Sequence, residues 1–397
     1  MKKVCVIGLG YIGLPTAALL ANEDFDVHGV DIVQETVDTI NRGEIHIVEN
    51  DLEDFVKNAV QAKSLRASIK PEFSDIFIIA VPTPFKENFS PDLKYVIDAT
   101  QSIAPYIKEN NLIILESTSP LGTTQLVKSE LQKMGIDTSK IYIAHCPERV
   151  LPGNIMKELI ENDRIVGGVN NESTKVASKF YKQFVKGEIL ETDDRTAELA
   201  KLAENSFRDI NIAYANELSI ICDKFNINVW DLIRLTNKHP RVEILSPGSG
   251  VGGHCIAVDP WFIVSDFKKE AVIIKNAREI NNYKTDWVIE KIKSTALQFE
   301  LDKNRKPLIA LMGLAFKPDI DDLRESPALL VADTLLNSGK FDLLLVEPNL
   351  EESKNYTLTD YKKIDKNVDI FVYLVAHKQF RGLITEAIEL DFCGVKN

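Results

Sequence analysis

Three glycines at positions 8, 10 and 13, set between an apolar run and a helix-forming one, constrain this chain more than any other feature. Residues 3–8 read as a short buried strand, 14–22 as a helix and 26–31 as a second strand. In such a unit Gly8 allows the tight turn, Gly10 lets backbone approach a pyrophosphate, and Gly13 lets helix pack on strand. The helix N-terminus then meets the negative charge. Asp31 lies 18 residues past Gly13, at the end of the second strand, where a carboxylate accepts ribose hydroxyls. No Arg follows closely to neutralise a 2′-phosphate, so the pattern predicts NAD and not NADP. A glycine turn in an FAD-binding or nucleotide-free unit is the alternative; strand, spacing and acid together favour NAD.

Further strand-like runs at 76–81, 112–116 and 141–145 alternate with helical stretches, which predicts a parallel, doubly wound sheet. From 193 to 225 no Gly or Pro interrupts the chain, so one long helix is expected there, as a connector or dimer element. Alternation returns near Lys306, with strands at 307–312, 341–347 and 368–375 and a helix at 326–337 stopped by Gly339. For 397 residues, at about 150 per domain, two or three domains are expected. The resulting fold class is α/β: two Rossmann-like doubly wound parallel-sheet domains (1–192 and 296–397) joined by a central helical domain (193–295).

Composition narrows the partners. Asp and Glu number 59 against 47 Lys and Arg, a net charge of −12 that argues against a nucleic-acid partner. Five cysteines, widely spaced and without a CxxC pair, give a reduced cytoplasmic pattern and neither a disulfide framework nor a metal site. Met1-Lys2-Lys3 and the uncharged run after it imitate a signal peptide, but Gly8, Gly10, Gly13 and Pro15 break the apolar stretch. No other run approaches the roughly 20 apolar residues of a membrane span.

The segment from Gly248 to Pro260 carries the most chemical information. Four glycines (248, 250, 252 and 253) offer backbone able to wrap a ligand, the thiol of Cys255 follows, and Asp259 lies one helical turn further on. A reactive thiol needs such partly open surroundings; a small buried thiol is the alternative. On the long helix Lys201, Asn205 and Arg208 fall within one sector of about 60°. They read either as a solvated stripe or as a lysine and an amide placed to stabilise an oxyanion. Thr83 and Thr118 stand at strand ends, where ligands bind in such sheets and where ordinary strand-end hydrogen bonds also occur.

The segments GLGYIGLP, VPTPF, ESTSP, CPERVLPG, AKLAENSFRDINIAYANEL, HPRV, GVGGHCIAVDPW and GLAFKPDIDDLRESPA occur in the order found in the UDP-glucose/GDP-mannose dehydrogenase superfamily. The resemblance spans essentially the whole chain. PERVLPG, NRGEIHIVE and HPRV with GGHCIAVDPW are most similar to the branch that oxidises UDP-N-acetyl-D-mannosamine; the C2 epimer, UDP-N-acetyl-D-glucosamine, is the nearest rival. The resemblance implies oxidation of a UDP-N-acetylhexosamine at C6 to a carboxylate with two NAD, in a source that makes an acidic surface polysaccharide. The long breaker-free helix predicts a homodimer through the central domain, and NAD, UDP-sugars and reduced thiols predict a cytoplasmic location. It gives Cys255 the role of nucleophile, Lys201 and Asn205 that of oxyanion stabilisers, and Asp259, Thr118 and Glu148 that of ordering water. Arg149, Val150, Arg208, His239, Arg241, Gly252 and Lys317 match substrate contacts, and Lys201 and Asn205 adjoin the sugar. Tyr11, Ile12, Asp31, Thr83, Thr118 and Arg324 match cofactor contacts beside Gly8, Gly10 and Gly13.

Two positions depart from the UDP-glucose enzymes. Pro152 stands where they carry a second Glu, and Val258 where they carry Lys. Both argue for an N-acetylated sugar. Two readings of another kind compete: a non-catalytic sensor, which would have no need of Cys255 or Lys201, and a two-electron hydroxyacid dehydrogenase, which would have no use for a second nucleotide domain.

Overall fold

The computed structural model describes residues 1–86, 89–151, 153–350, 355–364 and 367–396, so Pro152 lies outside the described residues. The chain forms two compact units, Met1–Ala203 and Glu204–Asn397.

The first unit is built on an eight-stranded sheet. Its strands are β1 (Lys3–Ile7), β2 (Asp26–Val30), β3 (Leu65–Ser68), β4 (Ile76–Ile79), β5 (Leu112–Leu115), β6 (Tyr142–His145), β7 (Arg164–Gly168) and β8 (Ile189–Asp193). They lie in the order β3-β2-β1-β4-β5-β6-β7-β8. All neighbours are parallel except β6 and β7, so the parallel sheet expected from the sequence carries an antiparallel junction and three added strands, β3, β7 and β8. None of the three announces itself in the sequence. β7 ends in two glycines, and the exposed edge strand β8 has no apolar run.

The central strands read as continuous apolar runs because both faces are covered. Val4, Val6, Ile76, Ile78, Leu112 and Ile114 enter one core, while Cys5, Ile7, Phe77, Ile79, Ile113 and Leu115 enter the other. This period-two split fixes register, since a one-residue slip would exchange the two faces.

The second unit holds a parallel four-stranded sheet of β9 (Leu308–Met312), β10 (Asp342–Val346), β11 (Ile370–Tyr373) and β12 (Ile388–Asp391), ordered β10-β9-β11-β12. The helix Pro327–Ser338 covers one face, capped by the Ser326 side chain and ended by Gly339 at φ 63°. Two long helices dominate the middle of the chain, Asp194–Lys224 and Val272–Lys303. The first matches the breaker-free stretch closely. Within the second unit a buried polar seam joins them: Arg278 Nη1 donates to Asp209 at 2.7 Å, Asn216 to Asn281 at 2.9 Å, and Lys284 Nζ to Ser219 at 2.7 Å. Among the described residues no helix is long and apolar enough to cross a membrane.

Candidate active site

The glycine loop of the first unit has the geometry its spacing predicts. Gly8 adopts φ +90°, and a Cβ there would meet Ala80 O at 2.7 Å. A Cβ on Gly13 would lie 1.8 Å from Gly8 O, so this glycine is a packing requirement. A Cβ on Gly10 would meet nothing within 4 Å, which leaves open the space a pyrophosphate needs beside the backbone. The helix Gly13–Asn22 begins without a side-chain cap or an acidic residue in its first turn. Its N-terminal N–H groups and dipole therefore suit an anion. Tyr11 is exposed and Ile12 half-buried at the loop rim.

Asp31 plays a part that spacing alone did not reveal. Its Oδ2 accepts from Leu9 N and its Oδ1 from Val33 N, each at 3.0 Å, so the carboxylate pins the glycine loop. Each oxygen keeps a lone pair for a ribose hydroxyl. These residues fit an NAD adenosine and its pyrophosphate.

The second unit repeats this device. Gly8 N donates to Val30 O and Gly313 N to Val346 O, both at 2.8 Å. Glu347 follows β10 as Asp31 follows β2, and it accepts from Leu314 N at 2.7 Å and Ala315 N at 3.0 Å. Here, however, the carboxylate is sealed in: His377 Nε2 lies 3.0 Å from it, and Asn349 covers the other oxygen. Because His377 Nδ1 accepts from Asp319 N at 2.9 Å, the ring proton sits on Nε2 and points at Glu347. Burial raises the Glu347 pKa, but the His377 bond and the two N–H donors outweigh it and hold the carboxyl below its usual range. A ribose cannot reach this acid. Glu347 and His377 instead shape the loop 313–319, which carries Lys317.

Strand ends β4 and β5 bring Thr83 and Thr118 together: Thr83 Oγ1 donates to Thr118 O at 2.5 Å. Glu148 is buried, accepts from Arg149 N at 2.8 Å, and pairs with Arg164 Nη1 at 2.9 Å. Arg149 Nη1 donates to Asp163 O, and Val150 packs on the main core. Lys201 is half-buried, one turn past Glu198 on the long helix. Glu198, fully buried, accepts from Gly122 N, Thr124 N and Thr124 Oγ1 at 2.6–2.7 Å. It thereby caps the helix Thr123–Lys133 from outside, a function the sequence did not signal.

In the second unit the thiol and its neighbours take a defined form. Asp259 N donates to Cys255 O at 2.8 Å, so the segment coils and Asp259 lies one turn beyond the thiol. Asn205 Nδ2 donates to the buried Asp259 carboxylate at 2.5 Å. Asn205 is buried, Lys201 half-buried and Arg208 exposed, so the stripe read on the helix is not a uniformly solvated one. Cys255 is exposed, unlike Cys5, Cys146 and Cys222. Burial pushes the Cys5 and Cys146 thiols up to about 12, which makes them inert.

The glycines before Cys255 have a packing purpose as well as the expected openness. A Cβ on Gly250 would lie 2.4 Å from Thr285 Oγ1, one on Gly252 2.3 Å from Glu325 O, and one on Gly253 2.8 Å from the Phe316 ring. Gly248 N donates to Asn216 Oδ1 at 2.9 Å, and Thr285 Oγ1 to Ser249 O at 2.9 Å. The helix seam thus holds the loop, which abuts the segment carrying Arg324. Arg324 itself clamps Asp322 through Nε and Nη2, with His254 3.8 Å from the same carboxylate. His239 and Arg241 share an exposed turn in which Arg241 N donates to His239 Nδ1.

Comparison with known proteins places the chain in a family. The UDP-glucose/GDP-mannose dehydrogenase family models match as NAD binding domain (residues 2–185), central domain (195–283) and UDP binding domain (310–392). The chain is 51% identical over 409 residues to the UDP-N-acetyl-D-mannosamine dehydrogenase of Campylobacter jejuni, covering 99% of each. It is 48% identical over 401 residues to an NDP-N-acetyl-D-galactosaminuronic acid dehydrogenase of Ralstonia nicotianae, covering 98% of this chain and 94% of that one. The structure of a UDP-D-ManNAc dehydrogenase from Pyrococcus horikoshii superposes with a TM-score of 0.90 at 36% identity, over 100% of this chain and 96% of that one.

Proposed function

The chain belongs to the UDP-glucose/GDP-mannose dehydrogenase family, and from that premise we propose that it oxidises C6 of UDP-N-acetyl-D-mannosamine to the carboxylate. It is an NAD-dependent oxidoreductase that acts on a nucleotide sugar. The observation that carries the finer reading is the exposed Cys255 one turn before Asp259, with the Asp259 carboxylate fixed by Asn205.

Oxidising a primary alcohol to an acid removes two hydrides and adds one water. The intermediate aldehyde carbon has to be retained between the two oxidations, and a thiolate suits that task. Bound NAD supplies the hydride acceptor, once for each oxidation. Cys255 Sγ adds to the C6 aldehyde to give a thiohemiacetal, and oxidation at that carbon leaves a thioester. Lys201 and Asn205 stabilise the oxyanion. Water ordered by Asp259, Thr118 and Glu148 adds to the thioester carbon; the C–S bond breaks, the thiol is regenerated and the carboxylate leaves.

The adenosine and pyrophosphate of NAD are assigned to Gly8, Gly10, Tyr11, Ile12, Gly13 and Asp31, with Thr83, Thr118 and Arg324 as further contacts. Arg149, Val150, Arg208, His239, Arg241, Gly252 and Lys317 are assigned to the UDP-sugar, whose two phosphates call for guanidinium and ammonium groups. In this reading residues 1–192 serve the cofactor, 193–295 supply the nucleophile and 296–397 bind UDP. NAD, UDP-sugars and reduced thiols occur together in the cytoplasm, where we place the reaction, and the acidic product suits a surface polysaccharide.

The relative named for N-acetyl-D-galactosaminuronic acid makes the sugar the point to test. We expect kcat/KM for UDP-N-acetyl-D-mannosamine to exceed that for the N-acetylglucosamine, N-acetylgalactosamine and glucose nucleotides by at least ~100-fold. A preference for any of the other three overturns the assignment of the sugar.

We also propose a homodimer through the long helix. Phe207, Tyr214 and Ile221 recur at a spacing of seven and are 69%, 53% and 45% exposed, too apolar a stripe for a helix left in water. Phe207→Glu should convert a dimer into a monomer in analytical ultracentrifugation. Native chain sedimenting as a monomer at micromolar concentration would refute the dimer.

A further inference from the structure

The first unit contains a buried ionic cluster that the reaction scheme above leaves unexplained. Glu116, Cys146, Arg164 and Tyr181 are all more than nine-tenths buried around Glu148. Arg164 Nη1 donates to Glu148 Oε2 at 2.9 Å and Nη2 to Leu159 O at 3.1 Å, and the guanidinium stands 5.1 Å from the Tyr181 ring centroid. Tyr181 Oη donates to Glu116 Oε1 at 2.7 Å, and Thr16 Oγ1 lies 3.3 Å from Glu116 Oε2. Thr16 sits three residues past Gly13, on the helix whose N-terminus is assigned to the cofactor phosphates. Replacing a buried ion pair by apolar residues of similar volume is often neutral or stabilising, so stability is a weak reason for two carboxylates and a guanidinium in this core.

We propose that Arg164 is a positioning residue that orients the Glu148 carboxylate, and that Glu116, through Tyr181 and Thr16, ties this pair to the helix of the glycine loop. The inference rests on the assignment of Glu148 to water ordering.

Charge balance fits this arrangement. Two carboxylates and one guanidinium in a dry site leave one excess negative charge, and Arg164 bonds directly to Glu148. Burial accordingly pushes Glu116 up to about 7, against the attraction of Arg164 and with the repulsion of Glu148. The other titratable groups facing it stay neutral: burial pushes Cys146 up to about 12 and Tyr181 well above its ordinary value. Below neutrality the cluster has no net charge, with the proton on Glu116. Above it, Glu116 competes with Glu148 for Arg164. The contact with Thr16 serves either state, because a hydroxyl both donates and accepts. Glu116 also gives a signed stability signature. From about pH 4.5 to 7 the folded chain holds a proton that the unfolded chain has released, so its contribution to stability falls as pH rises through that window.

Arg164→Lys keeps the charge and loses the fork, and is expected to lower kcat by ~10–100-fold while leaving KM for NAD within ~2-fold. In the native chain without ligands, infrared spectroscopy should show a protonated carboxyl band that titrates near neutrality and vanishes in Glu116→Gln. A native kcat in Arg164→Lys, a fall in NAD affinity in place of kcat, or a band unchanged by Glu116→Gln, overturns the proposal. If Arg164→Lys does not fold, Glu116→Gln decides alone, by the band and by loss of the falling stability between about pH 4.5 and 7. Glu148→Gln with native kcat would overturn the water-ordering assignment and with it the role of Arg164 in turnover; the infrared titration needs no turnover and tests the ionic link separately.

Discussion

Cys255→Ser is expected to abolish carboxylate formation, with kcat reduced by at least ~10³-fold. A serine hydroxyl is a far weaker nucleophile than a thiolate at neutral pH, and an oxygen ester resists hydrolysis more than a thioester does. The backbone should be undisturbed, because the Asp259 N to Cys255 O bond that coils the segment does not involve the thiol. Dissociation constants for NAD and UDP-sugar should therefore stay within ~3-fold of native, since the covalent bond to the substrate carbon is made only during reaction. Calorimetry for binding and mass spectrometry of the quenched reaction check the two halves. Near-native turnover would exclude a covalent intermediate on Cys255.

The second large effect separates two glycines only three positions apart. Gly13→Ala drives a Cβ to 1.8 Å from Gly8 O and 2.9 Å from Gly8 C, both backbone atoms that have no rotamer to yield. The loop must open or the helix must leave the sheet. We expect a Tm lowered by at least ~5 °C together with loss of NAD affinity. Gly10→Ala places its methyl in open space and should leave Tm within ~1 °C. The same methyl occupies the approach path of the pyrophosphate, so NAD affinity should fall ~10–100-fold. Thermal melts and NAD titrations of the pair check both. Unchanged NAD affinity in Gly10→Ala would remove the phosphate role from this loop.

How far the sequence could be read follows from where each signal arises. The strands at β1, β4 and β5 and the helix Asp194–Lys224 were legible because apolar runs and the absence of breakers are local properties. The edge strand β8 was not, because its residues satisfy the ladder without burying side chains. At the candidate site the glycine loop, Asp31 and the Cys255–Asp259 turn were visible as spacings. Their supports were not: Asp31 pinning Leu9 N, Asn205 fixing Asp259, and Glu198 capping Thr123–Lys133 join residues far apart in the chain. The glycines at 250, 252 and 253 read as freedom to wrap a ligand, whereas Thr285, Glu325 and Phe316 crowd them. Glu116 and Arg164 gave one faint signal, a charge at the end of an otherwise apolar strand, and only the fold reveals that they converge on Glu148.

The central claim is a four-electron oxidation with the aldehyde held on Cys255, and product stoichiometry tests it most directly. With UDP-N-acetyl-D-mannosamine limiting and NAD in excess, the account predicts two NADH per mole of sugar nucleotide consumed and a uronate as the sole product. One NADH per mole, with an aldehyde released, would contradict it.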